Sequence, residues 1–592
     1  MADSPALAAT GPLGITVEVD GRALPDPVQV LAVEVLDSVG RIAQCRIRLL
    51  DGNPADLEFP LTDDPKLAPG ADIAVKAQYG SDQAEAIFDG LLVGVRTRIL
   101  GGDGTCTLDL DCRGRPIKLH QTRKSALYAD VKDSEIITRI AQDAGLRAKV
   151  ASTSSQQKQI LRSDCTDWEY LRLLADRNGL LLYADGKDLL AQPPAVSAAA
   201  VHTVTFGTDL YDVDLEVSAQ RAFSQARFQS WDIAGQTGRQ TTSKPFRGPR
   251  WGNLTLTTLS QKLVGGQSDG PVLSTPADLE TDLLQSYSDA IVQGTELGRI
   301  VGAVRFAGSA RVKPNTTLEL KGLADRMNGT AFVTGLEHRL DDQGWVTTAR
   351  LGALPDDEGF GTRRPVVVAA GVTTPVHGLQ VGRVMKIDED PDNRARIQIV
   401  LPMIAGTEDG IWARLGAPYA GKSTGFDFLP EIGDEVVVGF MGGDPSHPVI
   451  LGSMHNPKNT GPVVAEEANN LKILQTRSGT KLTFDDDKKA VIIDTPGGAQ
   501  VTLDDDAKEV TLKDQNGNEA KLGNAGITLS SPKDITLDAK GNVVIKAAQD
   551  LTAKGLNVTA EAQLGATVKG NASAEISASG TTTVKGAMVM IN

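Results

Sequence analysis

The residues best suited by type to do chemistry are few, and their spacing does not favour it. Cys165 lies between Asp164 and Asp167, but no histidine stands near it in the sequence to take a thiol proton. Its place just ahead of an amphipathic run reads as a core cysteine at a helix entry. His447 lies in Gly443-Asp444-Pro445-Ser446-His447-Pro448, where turn geometry accounts for every residue without catalysis. The triplets Asp485-Asp486-Asp487 and Asp504-Asp505-Asp506 could attract calcium, yet neither has the glycine and distal glutamate of a recognised loop. They read as solvated hairpin tips. Cys45, Cys106, Cys112 and Cys165 form no CxxC pair, and the six histidines show no ligand spacing beside them. Free thiols in a reducing compartment are expected, with no catalytic residue, no cofactor and no metal.

The elements around these residues are β-rich. The chain has 592 residues, 61 of them glycine and 4% aromatic, which suits about three or four domains with many turns and little helix. A net charge of −15 leaves no basic footprint for phosphates, so nucleic acid is excluded as the main partner. Met1-Ala2-Asp3-Ser4-Pro5 lacks the basic start and apolar run of a signal peptide, and no stretch approaches the roughly 18 apolar residues of a membrane span. The chain is expected to be made in the cytoplasm and to leave it, if at all, by another route.

The most regular stretch is residues 534–592. Triplets beginning at Ile535, Val543, Leu551, Val558, Ala566, Ala574 and Thr582 recur at spacings of 8, 8, 7, 8, 8 and 8. Each has small or aliphatic outer residues around a middle one that is usually polar, which is strand periodicity. Lys540-Gly541-Asn542, Lys554-Gly555, Lys569-Gly570-Asn571 and Lys585-Gly586 supply tight corners. No aromatic residue follows Phe484, no Arg follows Arg477 and no Pro follows Pro532. An isolated octad of Ala, Thr and Val buries too little to offset about 1–2 kcal/mol of backbone entropy per residue. Neighbouring chains must complete the core, which favours an intertwined β-prism over a one-chain solenoid.

Upstream, residues 13–352 read as two β-rich units. Strands are predicted over 15–19, 28–36, 45–50, 73–77, 86–94 and 105–112, then over 209–217, 222–232, 311–322 and 331–338. Helices are predicted from Asp133 or Ser134 to Gly145, from Asp167 to Asn178-Gly179, and over 279–298. In the second of these Trp168, Leu171 and Leu174 face the core, with Arg172 and Arg177 on the other side. Trp231, Trp251 and Trp345 read as core or inter-domain anchors. Residues 353–375 read as a linker. Residues 376–455 carry five short strands, which fits an OB-type barrel. A linker, 456–472, and hairpins over 473–533 lead to the octads.

The segment from Gly416 to Ser453, with Pro430, Gly433, Asp434, Glu435, Gly443, Asp444, Pro445, Pro448 and Gly452, resembles the OB domain of VgrG spike proteins. Ser163-Asp164 to Gly179 resembles a helix in the hub half of that family, which is related to contractile-phage tail hubs. Gly329 to Gly352 is similar to the end of that half, and Gly586 to Asn592 to the end of the family's needle. The resemblance implies a mainly β protein: β-barrel hub domains with a few helices, an OB-fold barrel, and a C-terminal intertwined trimeric β-prism or β-helix. It also implies a homotrimer that joins tail tube and baseplate to a PAAR-repeat tip protein, with possible effector cargo. Met588, Val589, Met590, Ile591 and Asn592 would be the apolar platform for that tip.

Gly14 to Gly21 and the short junction of barrel and needle resemble extracellular contractile injection particles more than type VI secretion. Some relatives carry a hydrolase between barrel and needle, but only residues 453–472 lie between Gly452 and Ile473 here. Some phage spikes end in a His-x-His iron site, and this needle has no histidine. The expected function is a non-catalytic spike that pierces an envelope mechanically. A trimeric tail fibre or adhesin would require receptor-binding loops or a globular head after the octads, and an envelope hydrolase would require a constellation that the sequence does not display.

Overall fold

The computed structural model describes all residues except 1–2, 10, 53–56, 81, 100–105, 220–221, 265–268, 354–367 and 592. Most of the predicted linker 353–375 and the terminal Asn592 therefore lie outside the described residues. The chain is mostly β and divides into two units, Met1–Thr460 and Gly461–Asn592.

In the first unit, the alternating sequences form Leu13–Val19, Val30–Ser38, Gln44–Leu50, Asp72–Tyr79, Glu85–Ile99 and Cys106–Gly114, as their period predicts. Pairing of Val33–Ser38 with Gly335–Leu340 joins them to Ile300–Ala307, Gly329–Asp341 and Gly344–Leu351, so thirteen strands share one sheet. Two apolar cores line it. One gathers Val33, Val35, Ile47, Leu49, Leu108 and Leu110 with Trp345. The other gathers Val304, Phe306, Leu318, Val333 and Ala349 with Trp251. Each Val, Leu, Ile or Phe among them contributes roughly 1.5–3 kcal/mol by burial. Trp231, expected as an anchor, is instead 40% exposed.

The helices Asp133–Asp143 and Asp167–Arg177 pack beside a hairpin of Arg123–Lys132 and Gln156–Thr166 that the sequence pattern did not reveal. Thr166 caps the second helix: its Oγ1 accepts from Glu169 N at 3.2 Å, and the Glu169 carboxylate accepts from Thr166 N at 2.8 Å. Arg177 does not face solvent as helical spacing implied. It is buried against Asp133, donating from Nε at 2.7 Å, and Nη1 donates to the Val372 carbonyl at 2.7 Å. The third helix, Thr281–Leu297, lies on the strand Gln225–Asp232 through Leu283, Leu284 and Phe228.

Residues 380–453 close a five-stranded barrel in the order Gln380–Lys386, Arg396–Val400, Ile411–Leu415, Pro448–Ser453, Glu435–Phe440. Val384, Ile397, Ile399, Ile411, Ala413, Val436, Val438 and Ile450 fill it. Leu161, from the hairpin, packs in the same core.

The second unit begins with seven five-residue strands in a meander from Leu471–Gln475 to Gly526–Ser530, each antiparallel to the next. It contains a repeat of 19 residues that the sequence reading missed. Thr476, Thr495 and Asp514 donate N–H to the carbonyls of Thr480, Ala499 and Asn518, with Gly479, Gly498 and Gly517 at φ of 92°, 90° and 87°. Only glycine adopts that backbone without strain. From 531 to 591 no strand pairing exists within the chain, and residues 532–591 are all exposed.

Candidate functional site

Cys165 is not among the residues lining the cavity beside His447; what the structure offers are joints and faces. Cys165 is buried, and burial pushes its thiol pKa up, opposite to what a nucleophile needs. Among the described residues no group of three or more His, Cys, Asp or Glu could hold a metal ion, and no helix is long and apolar enough to cross a membrane. The aspartate triplets are turn-builders, and not wholly solvated as expected. Asp485 is buried and accepts from Lys488 N at 3.1 Å, Asp504 accepts from Ala507 N at 2.7 Å, and Lys489 Nζ lies 2.6 Å from Asp506.

The barrel signature residues do structural work. Asp434 accepts from Glu431 N at 2.9 Å and its carbonyl accepts from Val384 N, while Gly433 N donates to the Val384 carbonyl. Together they pin the approach to the strand Glu435–Phe440. Pro430, Pro445 and Pro448 are buried, Glu435 accepts from Asn456 Nδ2 at 2.8 Å, and Gly452 pairs with Val437 beside a bulge. Gly443 has φ of 80°, and a Cβ there would stand 2.4 Å from Val368 Cγ1, so strain and crowding both require glycine.

This turn also joins the barrel to the first 352 residues. Gln159 completes strand-like bonds to Trp412, accepting from its N at 3.1 Å and donating to its O at 3.3 Å, and donates to Ser446 O at 2.8 Å. Leu161 N donates to Ser446 Oγ at 2.9 Å. Arg394 Nη1 donates to Asp278 at 2.6 Å, and Arg239 Nη1 reaches the same carboxylate at 3.0 Å. Asp278 is thus held from both sides of the joint. The predicted linker spans residues whose neighbours are already locked together.

The second unit offers a different surface. The register places two apolar rows on one face of the meander, Phe484-Val491-Leu503-Val510-Leu522-Ile527 and Leu474-Leu482-Ile493-Val501-Leu512-Ala520-Leu529. The opposite face carries Ile473, Thr483, Ile492, Thr502, Thr511, Lys521 and Thr528, mostly polar. Phe484, Ile493, Leu503, Leu512, Leu522, Ile527 and Leu529 are between 41% and 73% exposed. Beyond them Leu551, Leu556, Leu564, Val568 and Ile576 are at least 69% exposed, and Met588, Val589, Met590 and Ile591 are exposed as well. Monomeric soluble proteins rarely leave so much contiguous apolar surface in water.

Residues 10–342 match the family described as the Alg8 N-terminal domain, more than half of the chain. The chain belongs to that family. Residues 380–455, the closed barrel, match the type VI secretion system/phage-baseplate injector OB domain. Among curated relatives, the type VI secretion system spike protein VgrG1a of Pseudomonas aeruginosa is 26% identical over 34% of this chain and 33% of its own length. VgrG1c of the same organism is 40% identical over 12% of this chain and 9% of its own. The actin cross-linking toxin VgrG1 of Vibrio cholerae is 31% identical over 16% of this chain and 10% of its own. The chain thus spans a third or less of these relatives. Among solved structures, the Escherichia coli c3393 protein, a component of the type VI secretion system, aligns with TM-score 0.47 and 14% identity over 74% of this chain and 99% of that one. The VgrG-containing Francisella PdpA–VgrG complex aligns with TM-score 0.49 and 10% identity over 88% and 80%. By its OB-domain match and these relatives the chain is of VgrG type.

Proposed function

We propose that this VgrG-type chain is the central spike of a contractile injection system, assembled from three copies, joining tail tube and baseplate to a puncturing tip. One observation carries the proposal: the second unit presents two apolar rows with several large side chains exposed, followed by exposed octads. Three copies turned about one axis bury these rows against each other and leave no free sheet edge. Residues 13–352 form the hub and 376–455 the barrel that follows it. The needle starts with the meander over 473–533 and continues through the octads over 534–592. A narrow rod with no aromatic residue after Phe484 concentrates the force of sheath contraction on the target envelope. Met588 to Ile591, with Asn592, form the platform for a PAAR-repeat tip protein, and effectors ride with the spike.

The function is mechanical and not catalytic, supported by the buried, poorly reactive thiol of Cys165 and by the role of the aspartate triplets in turns. The chain is made in the cytoplasm and built into a phage tail-like particle of the extracellular type, which acts at the target envelope. Particles assembled with a chain ending at Pro532 should still contract but release no dye from target-envelope vesicles. Equal release by the truncated particles would refute the piercing role, and soluble fragments from peptidoglycan incubated with the purified chain would refute the absence of catalysis.

A further inference from the structure

A cavity of about 360 Å3 lies in the first unit, walled by Val35, Phe88, Val312 and Leu336 and by two polar side chains, Asp37 and His338. That volume is at the small end of ligand sites. Strand pairing brings the polar pair to one face: Asp37 stands opposite Leu336 and His338 opposite Val35, so the two are diagonal neighbours roughly 7–8 Å apart on adjoining strands.

The surroundings of His338 fix its tautomer. Trp345 Nε1, which can only donate, reaches Nδ1 at 3.3 Å. Thr347 Oγ1 already accepts from Ser309 N at 3.0 Å and turns its own proton to the same Nδ1 at 2.9 Å. Nδ1 is therefore an acceptor, and Nε2 carries the hydrogen. The residue is 2% exposed, and burial pushes its pKa down to about 3, so the ring is neutral. Among the described residues no hydrogen bond engages Nε2. A buried donor is thus left open beside the cavity, where such groups ordinarily find a partner.

Asp37 is its complement. Its carboxyl takes a backbone hydrogen bond from Ser38 but, among the described residues, no ion pair. The cations that line the cavity are engaged elsewhere, Arg115 by Asp72 and Asp89 and Lys313 by Asp185. Burial pushes Asp37 up to about 7, and the Ser38 amide and Lys313 offset this only in part. An amine would satisfy Asp37 and leave the His338 N–H unmet. A carboxylate would accept from His338 and be repelled by Asp37. A primary carboxamide serves both, because it holds an acceptor and a donor side by side in one neutral plane.

We infer that this cavity binds a primary carboxamide, the end group of a glutamine or asparagine side chain or of a free small amide, with its oxygen on His338 Nε2, its NH2 on Asp37 and its alkyl end against Phe88, Val312 and Leu336. Every group in the site comes from one chain, so the site stands whether the chain works alone or in threes.

The test is equilibrium dialysis of the full-length chain against radiolabelled propionamide at about pH 8, where Asp37 is ionised. One saturable site per chain is expected. Propylamine, propionate, 1-propanol and N,N-dimethylpropionamide should each compete at least about tenfold less well than unlabelled propionamide, since each lacks a donor or an acceptor or carries the wrong charge. Asp37→Leu should lower the affinity at least about tenfold. The competition series uses the unaltered protein, so it decides the matter even if that variant does not fold. End-blocked Ala-Ala-Gln-Ala-Ala, beside the same peptide with Glu, separates the two sources. Competition by the glutamine peptide alone supports a side chain of a partner, and its failure with propionamide still bound supports a free amide. No saturable propionamide, equal competition by 1-propanol, or unchanged affinity in a folded Asp37→Leu chain would each overturn the site and leave a water-filled void.

Discussion

The barrel over 380–453 and the meander over 471–530 are both made of short antiparallel strands with alternating apolar residues, yet they treat those residues in opposite ways. In the barrel, five strands close on themselves, and Ile399, Ile411, Val436 and Val438 are wholly buried. The meander has seven strands and never closes, so Leu503, Leu512 and Leu522 lie open. The difference is one of closure, not of composition. A ring satisfies its own edges and encloses its apolar face, whereas an open sheet with an equally apolar face leaves that face to be covered by something outside the sheet. The barrel thus fills its core from its own strands and Leu161, while the meander leaves its apolar face open.

The comparison breaks most visibly if the open face is charged. Leu503→Asp with Leu512→Asp should weaken association of the full-length chain by at least about a hundredfold in sedimentation, because unpaired carboxylates would enter an apolar interface. Thr502→Asp with Thr511→Asp, on the opposite face, should leave it assembled. In the barrel the cost should appear within the chain: Ile399→Ala should destabilise its unfolding in denaturant by about 2–5 kcal/mol without changing the number of chains. Replacing Met588 and Met590 by Glu should lower affinity for a tip protein by at least about tenfold, read by calorimetry, with assembly intact. At the small end, Lys489→Ala removes an exposed ion pair with Asp506 and should change neither melting nor assembly measurably.

Much of this division is visible in the sequence. Alternation marked the buried strands because each has one wet face, and the barrel announced itself through Gly443-Asp444-Pro445 and Pro430 to Glu435, whose backbone demands few other residues meet. The octads were legible because repetition needs no knowledge of partners. The hairpin Arg123–Lys132 with Gln156–Thr166 was not, since Gln156, Gln157, Lys158 and Gln159 break apolar alternation; Gln159 is polar because it bonds the barrel backbone. Arg177 looked solvent-facing because helical spacing cannot show that Asp133, far away in sequence, supplies a buried partner. One signal was available and missed. Thr476, Thr495 and Asp514, each followed by a glycine three residues on, spell out the 19-residue period of the meander.

The central claim is that the octads are a structure shared between chains, and its most direct test is light scattering of the full-length protein beside a chain ending at Pro532. Three chains at full length, with weakened or lost association on truncation, is the expected result. A full-length monomer with a folded C-terminal rod would contradict the account and leave a one-chain solenoid in its place.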